Sequence, residues 1–89
     1  MNYDVTWKEN AYLQLVEIWE EARDNSDLRQ AIRAINFDLS DDPSTKGESR
    51  SDGRRVFFAP PLAIIFRVNF RLNDVVIIDI WRFEPHRSG

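Results

Sequence analysis

The sequence predicts an α+β domain in which two N-terminal helices pack on one face of a small antiparallel sheet, in the order β-α-α-β-β-β. Three observations carry this. Two successive stretches in the first half place apolar residues at helical spacing. Three apolar runs with strand character fill the second half. Adjacent helices followed by a run of strands favour helices segregated to one face of an antiparallel sheet over alternating βαβ units.

The first element is "YDVTW", where Tyr3, Val5 and Trp7 alternate with Asp4 and Thr6. That period of two marks a strand with one buried face. In "KENAYLQLVEIWEEARDN", Ala11, Leu15, Ile18 and Ala22 form a stripe flanked by Tyr12 and Trp19, with Glu9, Glu17, Glu20 and Glu21 largely off it. This is an amphipathic helix. "DNS" ends it, and Ser26 is the expected N-cap of the next helix, with Asp27 in a first turn favoured by the helix dipole. Leu28, Ala31, Ile32, Ile35 and Leu39 make the second stripe. Asp42-Pro43 stops it, because a residue before proline avoids the helical region.

A loop follows, "DPSTKGESRSDG", in which Gly47 and Gly53 allow backbone shapes that side chains resist. The strands "RRVFF", "PLAIIFRVNF" and "DVVIIDIWRF" are separated by Pro60-Pro61 and by "RLND". Alternation puts Leu62, Ile64, Phe66, Val68 and Phe70 toward the helices. It assigns Val56, Phe58, Val76, Ile78 and Ile80 to the same side. The opposite side then carries Phe57, Ile65, Val75, Ile77, Trp81 and Phe83 together with Arg55, Arg67 and Asp79. So much apolar surface on an open sheet face exceeds an ordinary exposed patch, and a partner protein, a second copy or the C-terminal tail is expected to cover it. Matched core faces bring Arg67 and Asp79 opposite or diagonal, within reach of a cross-strand ion pair.

The 89 residues are read as one domain, residues 1–89, with the thin stability margin of a small chain. The 43% hydrophobic content, with six Phe and three Trp, is enough for one core. Without cysteine there is neither a disulfide framework nor a thiolate metal site, which fits a reducing compartment. No apolar run approaches the ~20 residues of a membrane span, and "MNYDVTWKEN" has no signal-peptide pattern, so the cytoplasm is the expected location. No metal or cofactor is expected. No Gly-rich phosphate loop follows a strand, and no Ser/His/Asp set is assembled.

Net charge is −3 but unevenly placed: −6 over residues 1–42, +4 over 43–71 and −1 over 72–89. The basic stretch around Lys46, Arg50, Arg54 and Arg55 suits an anionic partner. It equally suits docking on the acidic helices of its own fold.

The order of elements resembles the RelE/ParE superfamily, toxins of bacterial type II toxin–antitoxin systems. So do an early Trp7, Ala11, Leu15 and Ile18-Trp19, the run "DP…GESR…GRR…PPLAIIFRV" and a last strand ending "IWRF". The run from Gly47 to Val68 is the most specific part. The resemblance implies a two-helix, antiparallel-sheet fold and a cognate antitoxin wrapped on the open face, with a homodimer as the alternative cover. It also implies growth inhibition through one of two targets. RelE-like members cut mRNA in the ribosome; ParE-like members poison DNA gyrase. An orphan that only binds a partner is the remaining reading.

For RNA cleavage the candidate cations are Arg50, Arg54, Arg55 and Arg67, with Lys46 at the edge, and the candidate proton carriers are Glu48 and His86. Ribonuclease members usually carry a base near the position of Ala63, and a His, Tyr or base where this last strand ends in Trp81, Arg82 and Phe83. For antitoxin binding the candidates are Phe57, Ile65, Val75, Ile77, Trp81 and Phe83.

Overall fold

A computed structural model describes residues 2–83. It shows β1 (Asp4–Trp7), α1 (Glu9–Glu21), α2 (Ser26–Asp41), β2 (Glu48–Ser49), β3 (Arg54–Ala59), β4 (Leu62–Asn69) and β5 (Asp74–Arg82), with short 3₁₀ turns at Pro43–Thr45 and Ser51–Gly53. The five strands form one sheet in the order β1-β5-β4-β3-β2. All neighbours are antiparallel except β1, which runs parallel to β5. The expected α+β architecture is present, with β2 and the parallel edge added to it.

Both helices lie on one face. Ala11 and Ile18 of α1, with Leu28, Ala31, Ile35 and Leu39 of α2, close over Ala59, Leu62, Ile64, Phe66, Val75, Ile77 and Ile80. Tyr3, Val5, Trp7, Phe57 and Val68 flank this core. Residue 70, expected at its edge, is instead in the β4–β5 turn, where Phe70 is 61% exposed.

The helix junction begins earlier than expected. Chain direction changes at Ala22, whose extended backbone ends α1 after Glu21. Asn25, not Ser26, occupies the N-cap of α2. The Ser26 N–H and Oγ–H both donate to Asp24 Oδ1, at 2.9 and 2.7 Å. With its amide oriented by its partners, Asn25 accepts from Trp19 Nε1 at 2.9 Å and so ties the junction to α1. At the other end Asp42 leaves the helical region before Pro43, as the proline requires.

Two strand faces differ from simple alternation. In β3, Phe57 pairs with Ile64 and Val56 with Ile65. Phe57 therefore shares the helix side, and Val56 and Phe58 face away. In β5 the register slips between Ile65, which faces Asp79, and Phe66, which faces Ile77. The extra residue, Ile78, is a β-bulge, and it reverses the phase of everything before it. Val75 and Ile77 go into the core, both fully buried. Val76 and Ile78 go to the open face. Side chains satisfy polar groups at the bulge: Asn10 Nδ2 donates to the Ile78 carbonyl at 3.1 Å, and the Ile80 N–H donates to Asp79 Oδ1 at 2.8 Å.

Candidate partner-binding face

The face of the sheet away from the helices is organised in rows that run across the strands. One row joins Arg54, Arg67, Val76 and Thr6. The next joins Glu48, Val56, Ile65 and Asp79, with the bulged Ile78 beside it. The third joins Phe58, Ala63 and Trp81. Phe83 extends this third row: its ring stands edge-on to Phe58 with centroids 5.3 Å apart, and its N–H donates to the Pro61 carbonyl at 2.9 Å. The face thus runs from the cationic row, flanked by Asp74 and Asp4 at the strand end, to aromatic rings at the other end.

At the basic end Lys8, Arg54 and Arg67 line an open cleft of about 430 Å³ whose other walls are Val76 and Ile78. Lys8 arrives there because β1 lies parallel beside β5, with the Lys8 N–H donating to the Ile77 carbonyl at 2.9 Å. Sequence reasoning missed it; the signal would have been the pairing of β1, which residue spacing does not reveal. No carboxylate and no histidine lines this cleft among the described residues. The arrangement suits holding an anion against an aliphatic wall.

The other expected site residues separate. Arg55 is turned from the open face: Nε donates to the Lys46 carbonyl at 2.8 Å and Nη2 to the Gly47 carbonyl at 3.1 Å, so its fork fastens the loop. Arg55 and Arg67 do not share a face, because Arg55 pairs with Phe66 and Arg54 with Arg67. Arg50 forms the one ion pair among the described residues, with Glu48 at 3.4 Å. Its N–H donates to the Arg54 carbonyl at 2.7 Å, fixing the hairpin. Arg67 and Asp79 lie in adjacent rows, diagonal across β4 and β5, but form no ion pair. Of the six apolar candidates, Ile65, Trp81 and Phe83 remain, each half-buried. Phe57, Val75 and Ile77 belong to the helix side. Phe58, Val76 and Ile78 take their places. His86 lies outside the described residues.

Gly47 explains how the basic loop lies so close to the sheet. Its φ is +70°, and a Cβ there would fall 2.1 Å from the Val56 carbonyl oxygen. The one clear titration shift among the described residues is remote from these rows. Two hydrogen bonds from Ser26, side chain first and backbone second, hold Asp24 below its usual 3.8, with Arg29 adding attraction. No group of metal-ligating side chains is assembled among the described residues. No described helix is long and apolar enough to cross a membrane.

No family model and no curated protein matches this chain. Solved structures do. A chain of the toxin–antitoxin complex RelBE2 from Mycobacterium tuberculosis matches with a TM-score of 0.73 and 19% identity, over 92% of each chain. The chromosomal ParDE toxin–antitoxin system of P. aeruginosa matches with a TM-score of 0.65 and 20% identity, over 92% of this chain and 97% of that one. A mutant of the E. coli toxin RelE in the free state matches with a TM-score of 0.67 and 14% identity, over 92% and 84%. The chain has the RelE/ParE toxin fold.

Proposed function

We propose that this protein is the toxin component of a toxin–antitoxin pair, neutralised by an antitoxin segment laid on the helix-free face of the sheet. The observation that carries the reading is that face. Phe58, Ile65, Val76, Ile78, Trp81 and Phe83 sit there without helix cover, beside Arg54, Arg67 and Lys8. Interface hot spots are enriched in Trp and Arg. The solved structures of this fold include toxins with their antitoxins, which supports a partner of that kind.

Endonuclease action on translated mRNA is the second reading, favoured by the three cations of the cleft. Binding is preferred over it because neither a carboxylate nor a histidine lines the cleft among the described residues. Inhibition of DNA gyrase has no separate structural observation behind it.

The test is induced expression of the chain alone and together with the product of the neighbouring reading frame. Growth arrest relieved by co-expression, with the two proteins co-purifying, is the expected result. Full growth despite abundant folded protein counts against a toxin. Primer extension on cellular mRNA and a supercoiling assay with gyrase then separate the targets.

A further inference from the structure

We infer that the open face selects a partner segment of defined polarity, with carboxylates at the Lys8–Arg54–Arg67 end and large apolar side chains at the Phe58–Trp81 end. The inference rests on the antitoxin reading and specifies the chemistry of its contact.

The first observation is the Arg54–Arg67 pair itself. The two residues are direct cross-strand partners. Like charges directly opposite one another destabilise a sheet. Neither guanidinium has a carboxylate partner among the described residues, where the one ion pair is Arg50–Glu48. Lys8 adds a third cation to the same cleft. An incoming anion relieves this repulsion, and guanidinium forks suit carboxylate and phosphate alike.

The surroundings favour carboxylate. Aliphatic Val76 and Ile78 complete the cleft, and among the described residues no aromatic ring lines it to stack a base. Asp74 and Asp4 stand in the adjoining row on one side, Glu48 and Asp79 in the row on the other. These acids confine the positive charge to one short row, which suits one or two carboxylates better than a continuous polyphosphate strand. The rings, meanwhile, gather at the far end, where Phe58 and Trp81 flank the small Ala63.

Spacing completes the description. Arg67 and Ala63 are four residues apart on β4, about 13 Å at strand rise. A helix covers that distance in about nine residues and an extended segment in about four. The segment therefore lies along the strands, acidic end over the cations.

The probe is a peptide of about a dozen residues with glutamates at one end and leucine and tryptophan at the other. Its counterpart carries lysines in place of the glutamates, and a single-stranded RNA of similar length is the third ligand. Binding is measured by calorimetry to the full chain, to Arg54→Glu/Arg67→Glu, to the neutral Arg54→Gln/Arg67→Gln, and to Phe58→Ala/Trp81→Ala. Circular dichroism establishes that each is folded, and the neutral pair serves where charge reversal prevents folding.

The wild type is expected to bind the glutamate peptide. The reversed variant is expected to lose it at least tenfold and to gain the lysine peptide, the neutral one to bind the glutamate peptide more weakly than wild type does, and the aromatic variant to lose it. Equal binding of the glutamate peptide by wild type and the arginine variants overturns the inference. So does failure of the wild type to bind it, or RNA binding that displaces it. If growth is unaffected by expression yet the peptide results hold, the partner chemistry stands and the toxin reading falls. If arrest and rescue hold but charge reversal changes nothing, the polarity alone falls.

Discussion

Arg55 Nε reaches back nine residues to the Lys46 carbonyl, 2.8 Å away, and Nη2 takes the Gly47 carbonyl at 3.1 Å. One guanidinium thus closes the loop that leads from the second helix into β3. Arg55→Ala is expected to cost about 1–2 kcal/mol of stability. For a domain of this size that is a fall in Tm of roughly 4–16 °C. Arg55→Lys should recover little, because an ammonium lacks the two-pronged fork. A Tm equal to wild type would show that the loop does not need this clamp.

Gly47 and Gly53 separate two costs. Both have positive φ, near +70°, but a Cβ at Gly53 meets nothing within 4 Å, whereas at Gly47 it collides with the Val56 carbonyl. Gly53→Ala should cost about 1–2 kcal/mol, from conformation alone. Gly47→Ala adds a clash that backbone must move to relieve, for a total of roughly 3 kcal/mol or more. Urea denaturation of the two variants checks the order; similar midpoints would contradict it.

The bulge at Ile78 makes neighbouring isoleucines unequal. Ile77 is fully buried against the helices, and Ile78 is on the open face. Ile77→Ala should cost about 2–5 kcal/mol. Ile78→Ala should cost about 1 kcal/mol of stability or less, in the range of surface changes. Chemical denaturation of both checks the order, since uninterrupted alternation predicts the reverse.

Trp81 tests the partner reading. Trp81→Ala should leave the core closed and weaken binding of the cognate partner by about 2 kcal/mol or more, some thirtyfold in Kd. Calorimetry with the purified partner measures it. An unchanged Kd would place the contact elsewhere.

Asp24 gives a pH prediction with a definite sign. Its carboxylate is held below 3.8 by the Ser26 hydrogen bonds. A depressed pKa stabilises the folded chain above the unfolded value, and that contribution is lost as pH falls through the folded one. The Tm gap between wild type and Asp24→Ala should therefore be widest at neutral pH and narrow below pH 3.8. A gap that widens in acid would reverse the assignment.

The two helices, the three long strands after them and the buried face of β4 were legible in residue spacing. Leu28, Ala31, Ile35 and Leu39 recur at helical spacing among polar neighbours, so only one side can be buried. In β4, Arg67 and Asn69 mark the outer face and leave Leu62, Ile64 and Phe66 to the core. Those segments carry contrast between their two sides. The fold class followed from them, and so did the expectation of an apolar open face.

Tertiary structure alone decided which residues make up that face. "VFF" in β3 and "VVII" in β5 are apolar on both sides, so alternation offers two phases of nearly equal burial. Pairing of Phe57 with Ile64, and the bulge between Ile77 and Asp79, chose between them. The same holds for Lys8, which reaches Arg54 and Arg67 only because β1 docks parallel to β5, some 70 residues away in sequence. Hydrophobic periodicity records how much of a strand is buried. Which side is buried, and which distant charges meet there, depends on backbone hydrogen bonds between strands, and those leave no mark in the spacing of side chains.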